Sequence, residues 1–398
     1  MRGDALPVTL YLREEETMLF QPPLPPTYAG LSETEMADRI RAHKRTFGKR
    51  LVILGHHYQQ DDVIQFADFT GDSLKLSQLA AQQKDAEFVV FCGVHFMAES
   101  ADILCNAPPY EGGDGGGETV VILPDLSAGC SMADMAAIEQ LEDAWDHLTS
   151  VTDAKIIPIT YVNSAASIKA FCGAHDGACC TSSNARKILE WALTQGEKVI
   201  FLPDQHLGRN TAYSMGNPLD SMVVYDPHQP EGGLTDEQVE SAKFYLWKGH
   251  CSVHGLFTEK HCDQIRQTDP QCKILVHPEC KWEVVQKADL AGSTEYIIRT
   301  LEQAPTGSRW AVGTEMHLVN RLALKYAGAK SIRSLAGMQC LCTTMYRIDS
   351  KHLLWCLDEL AAGRIVNRIN VDNETKYHSR IALQRMLDHV SAQPVAAK

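Results

Sequence analysis

Basic residues are in short supply: Lys and Arg total 37 against 50 Asp and Glu in 398 residues, a formal charge of −13. That balance argues against a protein that grips nucleic-acid phosphates over a broad face. Long apolar runs are missing too, since none approaches the roughly 18 residues of a membrane-spanning helix. The start, MRGDALPVTLYLREEET, lacks the basic-then-apolar order of a secretory signal, so a cytoplasmic protein is expected. Neither GxGxxG nor GxxxxGK[ST] occurs, and GDGGG at 113–117 opens no helix in the required setting, so no bound dinucleotide is expected. Cysteine is the residue that is not scarce. Thirteen are present, odd in parity and scattered through a chain too long to need disulfide staples. Metal or redox chemistry becomes the leading question.

A pattern repeats along the chain. Apolar strands LVIL (51–54), KIIPIT (155–160) and KILV (273–276) each run into a polar loop: GHHYQ, YVNS and HPEC. A helix and a small-residue turn follow each time, FTGDS, CCTSS and LAGST, and then a second strand, FVVFCGVHF, VIFLPDQHLG and WAVGTEMH. A third extended piece ends on a cysteine: Cys130, Cys251 or Cys342. Helices between the strands carry stripes such as Ala185, Ile188, Leu189, Ala192 and Leu193, or Leu318, Val319, Leu322 and Ala323, as covering a sheet requires. Strands buried on both faces and joined by helices make parallel sheets, whose ligands sit beyond the strand C-termini. The expected fold is α/β: three homologous αβα domains in pseudo-threefold arrangement around a centre. Residues 1–35 form an N-terminal extension, 36–130 the first domain with the C-terminal helices 343–390 completing it, 131–251 the second and 252–342 the third. PPYEGGDGGGE (108–118) reads as a surface insertion.

Three cysteines in register make a three-thiolate site, which suits an iron-sulfur cluster or zinc and leaves one metal position open. Taken singly, a free cysteine is usually a small buried hydrophobe, and Cys92, Cys105, Cys172, Cys262, Cys272 and Cys356 are read that way. Cys251, His254, His261 and Cys262 form a rival zinc constellation, but the CxxC knuckle of closed zinc sites is absent. The strand-end loops add His56, His57, Tyr58, Tyr161, Asn163, His277 and Glu279, groups able to bind substrate or move protons. Glu279 beside a metal and a histidine is the natural acid or base. Ser73, Ser182 and Thr294 stand where helices begin, as plain N-caps or as three anion sites facing one small polyanionic substrate.

In order, GHHYQ, GDSL, CGVHFMAE, LPDLSAGCSMAD, YVNSAA, TSSNA, PDQHLGRN, GHCSVH, ILVHPEC, GST and CTTM resemble the motifs of the quinolinate synthase family, over about Ser32 to Leu360. The resemblance implies three αβα domains around one 4Fe-4S cluster, and condensation of iminosuccinate with dihydroxyacetone phosphate, losing phosphate and water, for NAD biosynthesis. It implies Cys130, Cys251 and Cys342 as cluster ligands, with Cys340 a rival to Cys342 because some relatives carry CxxCxxC there. His56, Ser73, Tyr161, Asn163, Ser182, His277, Glu279 and Thr294 would hold iminosuccinate, with Tyr58 near the pocket and Glu279 and Tyr161 as proton shuttles. An aspartate-oxidising enzyme is the implied supplier of iminosuccinate. The stretch CGAHDGACC (172–180) reads as an insertion that separates YVNS from TSSN and, like 108–118, lies outside the shared motifs. A reading from another class, a non-catalytic iron-sulfur sensor, uses the same cysteines and has no need of Glu279.

Overall fold

The computed structural model describes residues 21–106, 119–337 and 340–391. Most of the N-terminal extension and the 108–118 insertion lie outside them.

Three mainly parallel sheets follow one another along the chain. The first holds β1 (Leu51–His56), β2 (Phe69–Gly71), β3 (Phe88–Cys92) and β4 (Val120–Ile122). The second holds β5 (Ile156–Tyr161), β6 (Ala178–Cys180), β7 (Lys198–Leu202), β8 (Met222–Tyr225) and β9 (Phe244–Trp247). The third holds β10 (Lys273–Val276), β11 (Leu290–Ala291), β12 (Arg309–Gly313) and β13 (Ser331–Ser334). β14 (Arg368–Ile369) returns from the C-terminal region and pairs antiparallel with β4, the one reversed pairing among the described residues. The spatial orders β2-β1-β3-β4, β6-β5-β7-β9 and β11-β10-β12-β13 repeat one plan. Because every strand of that plan runs parallel, all three sets of C-terminal ends lie on the loop side of their sheets.

The long strands form because their residues are apolar on both faces: β1, β5 and β7 are buried at every position. The helical stripes behave as expected. Ala185, Ile188, Leu189 and Ala192 are buried on the helix Ala185–Gln195, as are Leu318, Val319 and Leu322 on the helix Met316–Lys325.

Three expectations change. The small-residue turns are edge strands, β2, β6 and β11, each two or three residues long and hydrogen-bonded to the first strand of its sheet. The second-strand motifs contain a strand and a helix start, since helices open at His95, Gln205 and Met316. The C-terminal helices also part company. Ser350–Ala361 packs on the first sheet through Leu353, Leu354, Trp355 and Leu357. Asn373–Ser391 lies against the second unit, its Ala382, Leu383 and Met386 joining the core that contains Phe171 and Cys172. Gly173 permits that approach: a Cβ there would stand 1.9 Å from the His378 carbonyl oxygen.

Tyr28, in the extension, is buried on the first unit, and its hydroxyl donates to Asp358 at 2.7 Å. The 172–180 stretch is the end of one helix and strand β6, inside the second unit rather than appended to it.

Candidate active site

The three cysteine loops have one construction. Each cysteine is followed at the third residue by a 3-10 turn and at the eighth by a helix. These are Ala133–Met135 and Ile138–Val151 after Cys130, His254–Leu256 and Glu259–Thr268 after Cys251, Met345–Arg347 and Ser350–Ala361 after Cys342. Two backbone bonds clamp each loop. The cysteine carbonyl accepts from Asp134, Gly255 or Tyr346, at 3.0, 2.9 and 3.1 Å. The carbonyl two residues earlier, on Ala128, Gly249 or Cys340, accepts from the first residue of a helix, His95, Gln205 or Met316, at 2.8, 3.0 and 3.1 Å. Gly249 meets the Pro203 carbonyl oxygen so closely that a Cβ would lie 2.2 Å from it.

In every loop the sulfur accepts from the backbone N–H three residues on: Ala133, His254 or Met345. Of the thirteen cysteines, ten are buried and Cys130, Cys251 and Cys342 are partly exposed, and these three line one cavity. Burial pushes the Cys130 thiol up to about 12 and raises those of Cys251 and Cys342, so these sulfurs ionise only with a cation beside them. Soft donors, turn N–H groups aimed at sulfur, and three separate loops fit a metal-sulfur cluster held by three ligands. Cys340 occupies the clamp position and is buried among Phe257, Cys262 and Leu335, which sets it apart from the cavity.

The cavity beside the thiols is lined by nine of the ten other expected residues: His56, Tyr58, Ser73, Tyr161, Asn163, Ser182, His277, Glu279 and Thr294; His57 lies outside it, its Nε2 3.1 Å from Glu295 Oε1. His56 and Tyr161 are the last residues of β1 and β5, and His277 follows β10. The two histidines are set alike. The N–H of Tyr58 donates to His56 Nδ1 at 3.1 Å, and that of Glu279 to His277 Nδ1 at 3.4 Å. Nδ1 therefore accepts and Nε2 carries the proton. Burial drives both imidazoles down to about 3, so both are neutral donors at neutral pH.

Ser73 and Thr294 are not N-caps. Asp72 and Ser293 cap those helices, accepting from Lys75 and Tyr296 at 2.9 and 3.3 Å, which frees both cavity hydroxyls from that duty. Ser182 stands three residues before its helix, whose cap residue is Asn184.

Glu279 is the buried charge of the site. Burial works to raise its carboxyl, but its polar neighbours His277, His254 and Tyr161 outweigh burial and lower it below the usual carboxylate range. Two residues that the sequence reading missed complete a chain. His254, weighed only as a zinc ligand, stacks on His277 with ring centroids 4.5 Å apart, and its Nδ1 lies 2.6 Å from Glu279 Oε2. Thr314 follows β12 and is fully buried; its hydroxyl lies 3.2 Å from His254 Nε2 and 3.0 Å from the Tyr58 hydroxyl. Tyr58 also meets Thr294 Oγ1 at 3.0 Å. A polar residue at an apolar strand's end was the available signal for Thr314. The rival zinc set does not assemble among the described residues: Cys251 and His254 group with Glu279, while His261 accepts from the N–H of Thr258 and Cys262 is buried in the third unit's core.

An α/β protein whose parallel-sheet loops surround one cavity, with three converging thiols, neutral imidazoles and a buried carboxylate, has the makings of a metal-dependent enzyme for small anions. A family model described as Quinolinate synthetase A protein matches residues 38–388. Curated quinolinate synthases are similar to the chain. That of Anoxybacillus flavithermus is 56% identical, covering 92% of this chain and 96% of the relative. That of Acidobacterium capsulatum is 54% identical, covering 91% and 95%, and that of Streptomyces coelicolor is 54% identical, covering 89% of each. The chain belongs to the quinolinate synthase family, enzymes of NAD biosynthesis. No helix among the described residues is long and apolar enough to cross a membrane.

Proposed function

We propose that the chain condenses iminosuccinate with dihydroxyacetone phosphate, releasing phosphate and water to give quinolinate, with a 4Fe-4S cluster held by Cys130, Cys251 and Cys342. The observation that carries this reading is the arrival of three alike, N–H-backed thiols at the cavity that also collects the polar strand-end residues. When bound, the cluster supplies a Lewis-acidic iron with a position open to substrate.

The protein's own groups do the rest. His56 and His277 donate Nε2–H to substrate oxygen, and Ser73, Ser182 and Thr294, at or near helix starts, receive carboxylates. Asn163 and Tyr161 orient the substrate from the second unit. Tyr58 does not ionise readily alone, because burial raises its hydroxyl pKa. Through Thr314 its proton has a route to His254, and ionised Glu279 stabilises the imidazolium that forms, the logic of an acid-histidine-hydroxyl relay. Tyr58 then takes and returns protons during condensation and dehydration. This division of labour leaves a purely sensing role without a use for the relay.

The same reading divides the chain into αβα domains ending near residues 130, 251 and 342, arranged with pseudo-threefold symmetry about the cluster. The first spans 36–130 and the extension is 1–35. Iminosuccinate is an oxidised form of aspartate, so an aspartate-oxidising enzyme stands upstream, and a cytoplasmic location accords with the sequence. The test is one anaerobic preparation assayed for iron, sulfide and quinolinate. About four irons per chain with product formed from the two substrates is the expected result. Stoichiometric zinc without iron, or iron without product, overturns it.

A further inference from the structure

The second unit holds a buried cation that none of this chemistry uses. Lys169, on the helix Ala166–Ala174, is fully buried. Its ammonium donates to the Ser164 carbonyl and sits 5.5 Å from the centroid of the Phe96 ring. Phe96 belongs to the helix His95–Asn106 of the first unit and lines the cavity. From the same helix Glu99 crosses to the second unit, where its Oε2 accepts from Ala166 N–H at 3.1 Å. Glu99 thereby caps a helix whose own cap residue, Ala165, has no side chain to do so. It is also the leading charge acting on Lys169.

Between these two anchors lies the turn that ends β5. Ser164 Oγ donates to the Tyr161 carbonyl at 2.8 Å and meets Thr160 Oγ1 at 2.9 Å, so the 160–164 backbone is tied to itself. Asn163 projects from this turn toward the first unit, its Oδ1 3.5 Å from Ser73 Oγ. A methionine would fill the same volume as Lys169 without the desolvation that a buried ammonium suffers. Packing therefore gives no reason for a charge here, whereas the Ser164 carbonyl and Glu99 do.

We propose that Lys169 is a positioning residue. By holding the Ser164 carbonyl from a helix that Glu99 of the first unit caps, it fixes the turn that presents Tyr161 and Asn163 to the dicarboxylate substrate. The proposal rests on the reading of the cavity as a dicarboxylate site and adds to it the device that joins two units across that site. Misplacing a positioning group by about 1 Å costs on the order of 10²-fold, so removal of the ammonium has a measurable consequence.

The experiment compares the cluster-loaded wild-type chain with Lys169→Met, Glu99→Gln and the double variant. Melting temperature, iron content, KM and kcat, and calorimetric titration with maleate as a plain dicarboxylate are measured for each. Lys169→Met is expected to keep its melting temperature and iron, with KM and the maleate dissociation constant raised about tenfold and kcat within about threefold. Glu99→Gln preserves the cap to Ala166 and is expected to raise KM alone; the double variant is no worse than Lys169→Met, because the two act as one unit. Unchanged maleate binding in Lys169→Met, or additive effects in the double variant, overturns the proposal. Should Lys169→Met fail to fold, unchanged KM in Glu99→Gln overturns it. A wild-type chain that neither binds maleate nor forms quinolinate refutes the underlying reading instead, so the two failures are separable.

Discussion

Two trios of thiols share burial and little else. Cys130, Cys251 and Cys342 come from three separate loops, line a cavity, and each receives a backbone N–H from the third residue on. Cys172, Cys179 and Cys180 come from one helix and its neighbouring strand and lie at zero exposure in the second unit's core, away from the cavity. Burial raises the thiol pKa in both places. Proximity and burial of sulfur are therefore poor guides to a metal site; converging loops, turn N–H groups and an adjoining space distinguish it.

The largest effect that divides the two trios is loss of the cluster. Cys251→Ser is expected to abolish quinolinate formation, by at least about 10³-fold, and to lower iron content sharply, because a hydroxyl is a hard ligand where iron-sulfur chemistry needs thiolate. Cys179→Ala in the same anaerobic iron, sulfide and product assay should match the wild-type chain. Iron lost from Cys179→Ala as well would break the comparison at its root.

The second effect separates holding the cluster from using it. Glu279→Gln keeps the volume and the contact with His254 but removes the charge that supports an imidazolium, so kcat should fall by about 10²–10⁴. Iron content should remain that of the wild-type chain. Loss of iron together with kcat would mean that the carboxylate serves the thiol trio rather than the relay from Tyr58.

The third effect tests the helix starts. Since Asp72 caps the helix Ser73–Gln82, Ser73→Ala should leave melting unchanged and raise KM for iminosuccinate about tenfold, the value of one hydrogen bond to a charged group. Asp72→Ala should do the reverse, lowering stability by about 1 kcal/mol. Equal melting losses in the two variants would return Ser73 to an ordinary capping role.

How much of this the sequence carried differs by element. β1 and β5 were legible because strands buried on both faces leave unbroken apolar runs, and the helix at 185–195 because its stripe has the helical period. The cysteine trio was legible from register within a repeat. β2, β6 and β11 were not, because two or three residues hold no period. The helix Asn373–Ser391 shows that an amphipathic face has no address, since its partner is chosen by Gly173 far away in sequence. Lys169 contradicts the ordinary ranking of which residues are buried, and its bond to the Ser164 carbonyl is visible only in the folded chain.

The smallest effect closes the comparison from the other side. Cys172 packs in the core that receives the helix Asn373–Ser391. Cys172→Ala removes one buried sulfur and leaves a small void, which costs about 1 kcal/mol, a shift of a few degrees at most in melting for a chain of this length. KM, kcat and iron content should not move, because the residue faces neither the cavity nor a cluster loop. Cys172→Ser should be worse than alanine, since a buried hydroxyl without a partner costs about 1–3 kcal/mol. That order, alanine above serine with activity untouched, is what a thiol acting as a small hydrophobe produces. The opposite order, serine tolerated and alanine inactive, would give the second trio a polar role and erase the distinction between the two.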